Sequence, residues 1–278
     1  MKYHVCLFLL LYLMSACVRR PVALQTEVML PYTPVKSQGA SQSCWIYVML
    51  AAIETEHIGR GDSVHLSVAF LEQMMKHETA APSSGRGTCL TALYLINKYG
   101  AVPYQTMPSA DYPLPRRASM LGCEYTFGEF GRSVCAPGEY IGLTSTTEGL
   151  YGEMVELNLA DNWDHSSWLN MEADSLLAVT ERAVRQGRGV AWEGDTSERG
   201  FNWADGYAVT SLWNGTTSDN HCMAIVGIAH DEAGERYFIM KNSWGDNNAF
   251  GGLLYMSFSY FQKKTIAVVL PKAVLALS

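Results

Sequence analysis

The sequence predicts an α+β fold in which a mainly helical half precedes a strand-rich half. Helical patterns dominate up to residue 100, and strand-like patterns dominate after residue 139. A stretch rich in Pro, Gly and Arg at 103–138 lies between them and is expected to be an irregular connection. Such a division implies two lobes with a cleft between them. We expect the helical lobe at about 40–138 and the β lobe at about 139–278.

Three helices are predicted in the first half, and they begin near Cys44, Leu66 and Cys89. The middle of the first helix is apolar on every side, which is typical of a central buried helix. Ser41 or Ser43 can cap its start. The third helix is expected to run to Tyr99 and to stop at Gly100.

Strand-like segments dominate the second half. They are Tyr140–Thr144, Met154–Leu159, Gly189–Trp192, His221–Ile228, Tyr237–Lys241, Leu253–Phe258 and Thr265–Leu270. One helix, at about Met171–Gln186, interrupts them and is closed by Gly187. This pattern favours a second lobe built on a sheet.

Cys44 is the candidate nucleophile. At the start of a helix the positive end of the backbone dipole lowers the pKa of a thiol. A lone cysteine before an apolar run is more often a buried structural residue. Gln38, six positions earlier, favours the catalytic interpretation, because its amide and the Cys44 N–H could together bind an oxyanion. A solvent-facing loop glutamine is the alternative for Gln38.

His221 and Asn242 are the candidate base and the residue that orients it. A predicted hairpin with its turn near Asp231 or Glu232 brings His221 close to opposite Asn242, at the open end of the ribbon. The Asn242 side-chain oxygen can then accept a hydrogen bond from the imidazole. Trp244 would shield this contact from water. The alternatives are a core histidine bonded to backbone and plain core packing of Trp244.

Three separated motifs occur in the order Val35-Lys36-x-Gln38-Gly39-x4-Cys44-Trp45, Asn220-His221 and Asn242-Ser243-Trp244-Gly245. This ordered set resembles the papain family of cysteine peptidases. Four further stretches are closer to the bleomycin hydrolase and aminopeptidase C branch of that family. They are Leu66-Ser67-x2-Phe70-Leu71, Lys98-Tyr99-Gly100-Ala101-Val102-Pro103, Asp161-Asn162-Trp163, and Gly189-Val190-Ala191-Trp192 followed by Asp195. The resemblance covers roughly 34–271.

The resemblance implies a papain-like two-lobe fold, with a helical left lobe and an antiparallel β-sheet or barrel as the right lobe. It also implies hydrolysis of peptide or protein substrates through a thioester, without a cofactor. The implied catalytic residues are Cys44, His221, Asn242 and Gln38. Where the family often has a Gly-Gly pair beside the substrate strand, this chain has Arg86 and Gly87. Gly87 would still let the substrate backbone approach, and Gly87 and Trp244 are the candidate substrate contacts.

Three functional interpretations follow. The favoured one is a cysteine peptidase, with exopeptidase (aminopeptidase) or endopeptidase action left open. An inactive peptide-binding protein with the same fold is disfavoured, because all four catalytic positions are filled. An amidase or acyl transferase that uses the same thioester chemistry is poorly separated from a peptidase by sequence.

The amino terminus reads as an export signal. The apolar run Val5–Met14 is shorter than the about 20 residues that a membrane-spanning helix needs, and Ser15-Ala16-Cys17 follows it. Small residues before Cys17 resemble the lipobox of bacterial lipoproteins. We therefore expect 1–16 to be a lipoprotein signal, Cys17 to carry a lipid anchor at a bacterial membrane, and 17–33 to be a linker. An ordinary secretory signal cleaved near Ala16 is the alternative.

Net charge and cysteine content limit the kinds of partner and of metal site that we expect. The net charge of -7 argues against nucleic-acid binding, since phosphates require a basic face. Cys6 and Cys17 belong to the signal region, and an odd number among the remaining cysteines suggests a free reactive thiol. Cys123 and Cys135 could form a disulfide. No Cys-x-x-Cys pair occurs, so a metal site is not expected.

Overall fold

The computed structural model of the chain describes residues 23–210 and 217–277. The predicted signal segment and Cys17 lie outside these residues, so the lipid anchor stays a prediction. No helix in the described ranges is both long enough and apolar enough to span a membrane.

Six α-helices lie in the described ranges: α1 (Cys44–Gly59), α2 (Val68–Met75), α3 (Cys89–Tyr99), α4 (Phe127–Val134), α5 (Ala173–Arg185) and α6 (Phe258–Lys264). A 3-10 helix, Lys272–Leu277, follows the last strand. The three helices predicted in the first half correspond to α1, α2 and α3. The helix predicted in the second half corresponds to α5.

The described strands are β1 (Leu24–Met29), β2 (Ala118–Met120), β3 (Cys123–Tyr125), β4 (Tyr140–Thr144), β5 (Met154–Val155), β6 (Trp168–Asn170), β7 (Val190–Gly194), β8 (Phe201–Asn202), β9 (Tyr207–Ala208), β10 (His221–Asp231), β11 (Arg236–Lys241), β12 (Leu253–Ser257) and β13 (Thr265–Pro271). One large sheet has the order β5-β6-β4-β13-β7-β10-β11-β12-β9-β8, with β1 paired to β10. Its pairings are antiparallel except for β4 with β6 and β9 with β12. The predicted α+β class is confirmed.

Helix α1 packs against both the other helices and the sheet. Its side chains from Ile46 to Ile53 are buried, apart from the half-buried Tyr47. It contacts α2 and α3 in the helical part and β7 and β10 in the sheet. Burying one large aliphatic side chain contributes about 1.5–3 kcal/mol. This packing therefore determines the position of the first helical residue, Cys44.

A buried carboxylate on α1 holds the segment that precedes the helix. Glu54 is fully buried, accepts a hydrogen bond from the Leu66 N–H at 2.7 Å and pairs with Lys36 at 3.2 Å. The Thr33 hydroxyl donates to the same carboxylate. A buried charge is tolerated when it is paired and hydrogen-bonded. Glu54 thus ties Thr33 and Lys36 to α1, just before Gln38.

The turn of the β10–β11 hairpin differs from the prediction. His230 pairs with Arg236, so the turn is centred near Ala233, one or two residues later than the sequence predicts. Strand β10 is correspondingly longer than predicted. Polar residues at the end of β10 continue the ladder, because their backbone groups pair whatever their side chains are.

The open end of the same hairpin still brings the predicted pair together. The last pair of the ladder joins Ala224 to Lys241, so Asn242 lies diagonally across from His221. Side chains alternate with a period of two along a strand, which keeps diagonal neighbours on one face. His221 and Asn242 therefore lie close together as predicted, although the register of the hairpin differs from the prediction.

Several segments differ from the sequence-based assignment. The sequence predicts a linker at 17–33, but β1 lies within it and pairs with the second half of β10. Of the strand predicted at Met154–Leu159 only Met154–Val155 forms, and β6 is unpredicted. β6 has only three residues and β1 is largely exposed, so their pairing depends on the neighbouring strand rather than on an apolar pattern.

The connection at 103–138 contains the hairpin β2–β3 and the helix α4, and is not irregular throughout. Helix α4 is not recognisable from the sequence because it contains Gly128 and Gly131, and each glycine disfavours a helix by about 1 kcal/mol. A capping box of Thr126 and Glu129 starts the helix. Gly131 allows close packing, because a Cβ there would lie 2.8 Å from the Gly100 Cα. Nearby, Cys123 is exposed, Cys135 is buried, and both are free thiols rather than a disulfide.

Gly100→Ala is expected to lower the free energy of unfolding by more than about 3 kcal/mol. A left-handed backbone at a non-glycine residue would alone cost about 1–2 kcal/mol, and the rest of the loss comes from the clash of the added Cβ. Gly100 has a φ of 85°, and a Cβ there would meet the Phe127 carbonyl oxygen at 2.0 Å. Gly61→Ala is the matched control, since Gly61 has a φ of 91° and no atom within 4 Å of the added Cβ. Urea unfolding compares the two variants, and equal losses would contradict this packing.

Candidate active site

Cys44 lies at the point where the start of α1 meets the sheet. Its N-cap residue, Ser43, makes no capping bond, because its hydroxyl contacts Glu72 and lies 2.7 Å from the Ser41 hydroxyl. The predicted cap by Ser41 or Ser43 is therefore wrong. Among the described residues no acceptor bonds the Cys44 N–H. An uncapped helix N-terminus presents free N–H groups that can bind an anion.

The Cys44 thiol is strongly acidic. A hydrogen bond from the Cys222 thiol is the largest cause, His221 is the second favourable one, and together they lower the pKa of Cys44 to about 4 against the opposing effect of burial. At neutral pH the sulfur is therefore a thiolate, which is the nucleophilic form. The sequence predicts acidification by the helix dipole and the imidazole, but gives no indication of Cys222.

His221 contacts Cys44 on one side and Asn242 on the other. His221 Nε2 lies 2.7 Å from Asn242 Oδ1, which also accepts a hydrogen bond from the Ser243 N–H at 2.7 Å. Because a backbone N–H can only donate, this bond places the amide oxygen toward the ring, and Nε2 carries a proton. Nδ1 is then the ring nitrogen available to the sulfur.

Aromatic side chains cover the imidazole. The Trp244 ring lies 4.4 Å from the His221 ring, centroid to centroid, at an interplanar angle of 30°. Phe201 and Trp203 pack edge-on against Trp244 at 6.0 and 5.5 Å. Trp244 therefore both covers the His221 ring and packs against neighbouring aromatic side chains.

Gln38 connects the loop before α1 to the end of the β10–β11 hairpin. Its Oε1 accepts a hydrogen bond from the Ser243 hydroxyl at 2.6 Å, and its Nε2 donates to the Ser41 carbonyl at 2.7 Å. The side-chain orientation is thus determined by two different partners. An amide nitrogen has two N–H donors, and the Ser41 carbonyl takes one of them.

A small pocket of about 10 Å³ lies beside Cys44. Gly87 lines it, whereas Trp244 does not, so only one of the two candidate substrate contacts is found there. A Cβ at position 87 would lie 2.9 Å from the Trp45 indole. Packing against Trp45 therefore requires a glycine, whatever the substrate.

A charged bridge lines this pocket. Arg86 Nε donates to Asp161 Oδ2 at 2.7 Å, and Nη2 donates to the Asp219 carbonyl oxygen at 3.1 Å. Burial, followed by repulsion from Asp161, raises the pKa of Asp219 to about 7. The sequence motifs include Asp161 and Arg86, but give no sign that they meet Asp219.

A buried cluster of thiols and one carboxyl lies behind Cys44. One ligand atom each from Cys89, Glu193 and Cys222 lies within 4.8 Å of the others, a spacing that could hold a metal ion. Glu193 Oε1 accepts a hydrogen bond from the Cys89 N–H at 2.5 Å, and Oε2 has no partner among the described residues. Burial raises the pKa of Glu193 to about 8. These residues are too far apart in sequence to form a spacing motif, so sequence reasoning missed them.

Together these groups can perform nucleophilic chemistry on a carbonyl. An acidic thiol touches an imidazole, an amide orients that imidazole, and the Cys44 N–H at the start of α1 is free of intramolecular acceptors in the described part of the chain. Such an arrangement suits attack on an acyl carbon with stabilisation of the resulting oxyanion.

Comparison with known proteins gives both family and curated matches. The Peptidase C1-like family matches residues 139–277. Aminopeptidase G of Lactobacillus delbrueckii subsp. lactis is 26% identical over 156 residues, which cover 48% of this chain and 36% of the relative. Aminopeptidase E of Lactobacillus helveticus is 25% identical over 156 residues, covering 48% and 35%. The chain therefore spans about a third of the length of the curated relatives it matches.

Solved structures show the same fold. PepW from Lactobacillus rhamnosis has a TM-score of 0.71 at 15% identity, covering 90% of this chain and 82% of that one. A chain from a structure on the limited antibody cross reactivity between the mite allergens Blo t 1 and Der p 1 gives 0.55 at 19% identity, with 86% of this chain and 67% of that one covered. Procathepsin L 3 of Tenebrio molitor gives 0.53 at 21% identity, with 90% and 70% covered. This likeness confirms the papain-like two-lobe fold expected from the sequence.

Cys222→Ala is expected to raise the pKa of Cys44, because it removes the hydrogen bond that lowers that pKa most. Alkylation by iodoacetamide at pH 5 would then slow by about tenfold for each unit by which the pKa exceeds the assay pH. Cys222→Ser keeps a hydroxyl donor and is the matched control, expected to react at close to the wild-type rate. Equal rates in all three proteins would refute the role of Cys222.

Proposed function

The chain belongs to the Peptidase C1-like family, and we propose that it is a cysteine peptidase that removes residues from the amino terminus of peptides. The observation that carries this proposal is the contact among Cys44, His221 and Asn242, in which an oriented imidazole touches an acidic thiol. A thiolate beside an imidazolium is the nucleophile–acid pair that acyl transfer requires.

In the proposed acylation step the Cys44 sulfur attacks the carbonyl carbon of the scissile peptide bond. A C–S bond forms, and the carbonyl π electrons move to the oxygen, where the Cys44 N–H and the Gln38 amide would stabilise them. The His221 imidazolium gives its proton to the leaving nitrogen as the C–N bond breaks. The carbonyl then re-forms as a thioester, and the shortened peptide leaves.

Deacylation reverses the proton transfer. Neutral His221 takes a proton from a water molecule that attacks the thioester carbonyl. A C–O bond forms, the C–S bond breaks, and the acid product leaves. Cys44 is released as a thiolate beside the protonated imidazole, which restores the starting state.

Two observations support cleavage at the amino terminus. Both curated relatives carry the name aminopeptidase. The pocket beside Cys44 is also narrow, with a volume of about 10 Å³, roughly the space of one water molecule. Such a narrow pocket, lined by Arg86 and Asp161, disfavours the passage of an extended peptide.

Hydrolysis of coumarin amides of single amino acids tests the proposal. The wild-type protein is expected to release coumarin from substrates with a free α-amine and to act at least about tenfold more slowly on N-acetylated ones. Cys44→Ala removes the nucleophile, so turnover is expected to fall by roughly 10⁵-fold or more. Undiminished turnover by Cys44→Ala would contradict the assigned nucleophile, and equal turnover of free and blocked substrates would contradict aminopeptidase action.

Gln38→Ala separates oxyanion stabilisation from thiol activation in the same assay. It is expected to lower kcat by about 10²- to 10³-fold, while iodoacetamide labels Cys44 at the wild-type rate. Parallel losses of turnover and labelling would instead assign Gln38 to thiol activation or to local folding.

We also infer that the chain is exported and anchored to a bacterial membrane through a lipid on Cys17, which lies outside the described residues. The support is the short apolar run followed by small residues before that cysteine. In a bacterial host, labelled palmitate is expected in the wild-type protein and not in Cys17→Ser. Labelling of Cys17→Ser, or of neither protein, would oppose the inference.

A further inference from the structure

We propose that Asp219 binds the α-ammonium group of the substrate, and that the Arg86–Asp161 bridge closes the pocket behind that group. The inference rests on the proposed aminopeptidase function and assigns its selectivity to these three residues.

The Asp219 carboxylate has no hydrogen-bond donor among the described residues. Arg86 bonds the backbone oxygen of Asp219 at 3.1 Å, not the carboxylate. The other contacts of the guanidinium go to Asp161 Oδ2, from Nε at 2.7 Å and from Nη2 at 2.5 Å. Asp219 is half-buried, and burial is the largest cause of its raised pKa. A half-buried carboxylate without a donor is less well stabilised than a hydrogen-bonded one. A cationic ligand would supply the missing donor.

The charges on the pocket wall leave one negative charge unbalanced when Asp219 is ionised. Arg86 and Asp161 form one neutral pair, and the proposed mechanism pairs the Cys44 thiolate with the His221 imidazolium as another. These residues and Asp219 are the charged groups that line the pocket in the described part of the chain. A single ammonium group would neutralise the remaining negative charge on Asp219.

The carboxylate lies where a substrate ammonium must be. In an amino-terminal residue the α-nitrogen is joined to the carbonyl carbon through Cα, so the two atoms are about 2.5 Å apart. The group that binds the ammonium must therefore share a pocket with the attacking sulfur. Asp219 and Cys44 line the same pocket, and the Cys44 charge is close enough to contribute to the raised pKa of Asp219.

Arg86 limits how much of a substrate can enter. Its guanidinium extends from the loop before α3 to the loop before β10 and so joins the helical part to the sheet. Trp163 Nε1 donates to the Arg86 carbonyl oxygen at 3.1 Å and holds its backbone in place. A peptide that continued beyond one residue would have to break the charge-assisted bonds from Arg86 to Asp161. A single residue with a free ammonium need not do so.

Three coumarin amides test the role of Asp219: alanyl, N-acetylalanyl and propionyl, the last of which lacks only the amino group of alanyl. The wild-type protein is expected to favour alanyl over propionyl in kcat/KM by about tenfold or more. Asp219→Asn is expected to lower kcat/KM for alanyl by about 10- to 100-fold and to leave propionyl within about twofold, because only the ammonium contact is lost. Asp219→Glu retains the charge and should keep most of the preference.

Asp111→Asn is the matched control, since it removes the same charge from an exposed loop position. It is expected to retain the wild-type preference. Arg86→Gly tests the closing wall and is expected to raise kcat/KM for N-acetylalanyl by roughly tenfold. Alkylation of Cys44 at pH 5 shows that each variant has kept its acidic thiol.

The outcomes separate this inference from the proposed function. If Asp219→Asn keeps the wild-type preference for alanyl over propionyl, the inference is overturned while the peptidase assignment stands. If Arg86→Gly leaves the N-acetylalanyl rate unchanged, Arg86 does not limit substrate length. If the wild-type protein reacts with iodoacetamide at pH 5 but hydrolyses none of the amides, the proposed function fails and the inference fails with it.

Discussion

The contact between the Cys44 sulfur and the His221 imidazole depends on the packing of α1 against β10. Cys44 is the first residue of α1 and His221 the first of β10, so the contact forms only if helix and strand keep their relative position. A hydrogen bond contributes about 0.5–1.5 kcal/mol net, far less than the many buried side chains of α1 at about 1.5–3 kcal/mol each. The apolar interface therefore holds the reactive pair in place, and the pair does not hold the two parts together.

Groups with opposite effects on the ionisation of Cys44 lie on its two sides. Behind it, the Cys222 thiol donates to the sulfur and favours the thiolate. In front of it, Asp219 lines the pocket, and Glu193 lies deeper in the core. Two carboxylates near a thiolate would oppose its ionisation, but burial raises their pKa values to about 7 and about 8. Both groups therefore spend much of their time protonated near neutral pH, so the thiolate tolerates them, while an arriving ammonium would favour ionisation of Asp219.

Much of the fold could be predicted because the decisive signals are local. The apolar run of α1 and the strand pattern around His221 reflect the burial of nearby side chains, and the stop at Gly100 reflects a positive φ that favours glycine. The diagonal contact of His221 with Asn242 survived an error in the turn, since the period of two keeps both on one face. Other features rest on distant partners, namely the pairing of β1, the close approach of α4 to α3, the thiol cluster and the Arg86 bridge. No local sequence pattern predicts such contacts, and the two glycines of α4 lower the helix propensity of that segment.

The ionisation of Cys44 tests the central claim most directly. Thiolates absorb in the ultraviolet near the peptide band, so a pH titration of the wild-type protein, with a Cys44→Ala protein subtracted, isolates this one sulfur. Hydrogen bonds from Cys222 and His221 predict a transition at a pKa of about 4. A transition near the ordinary thiol pKa of about 8.5 would show that neither group acidifies the sulfur, and would contradict both the site and the mechanism built on it.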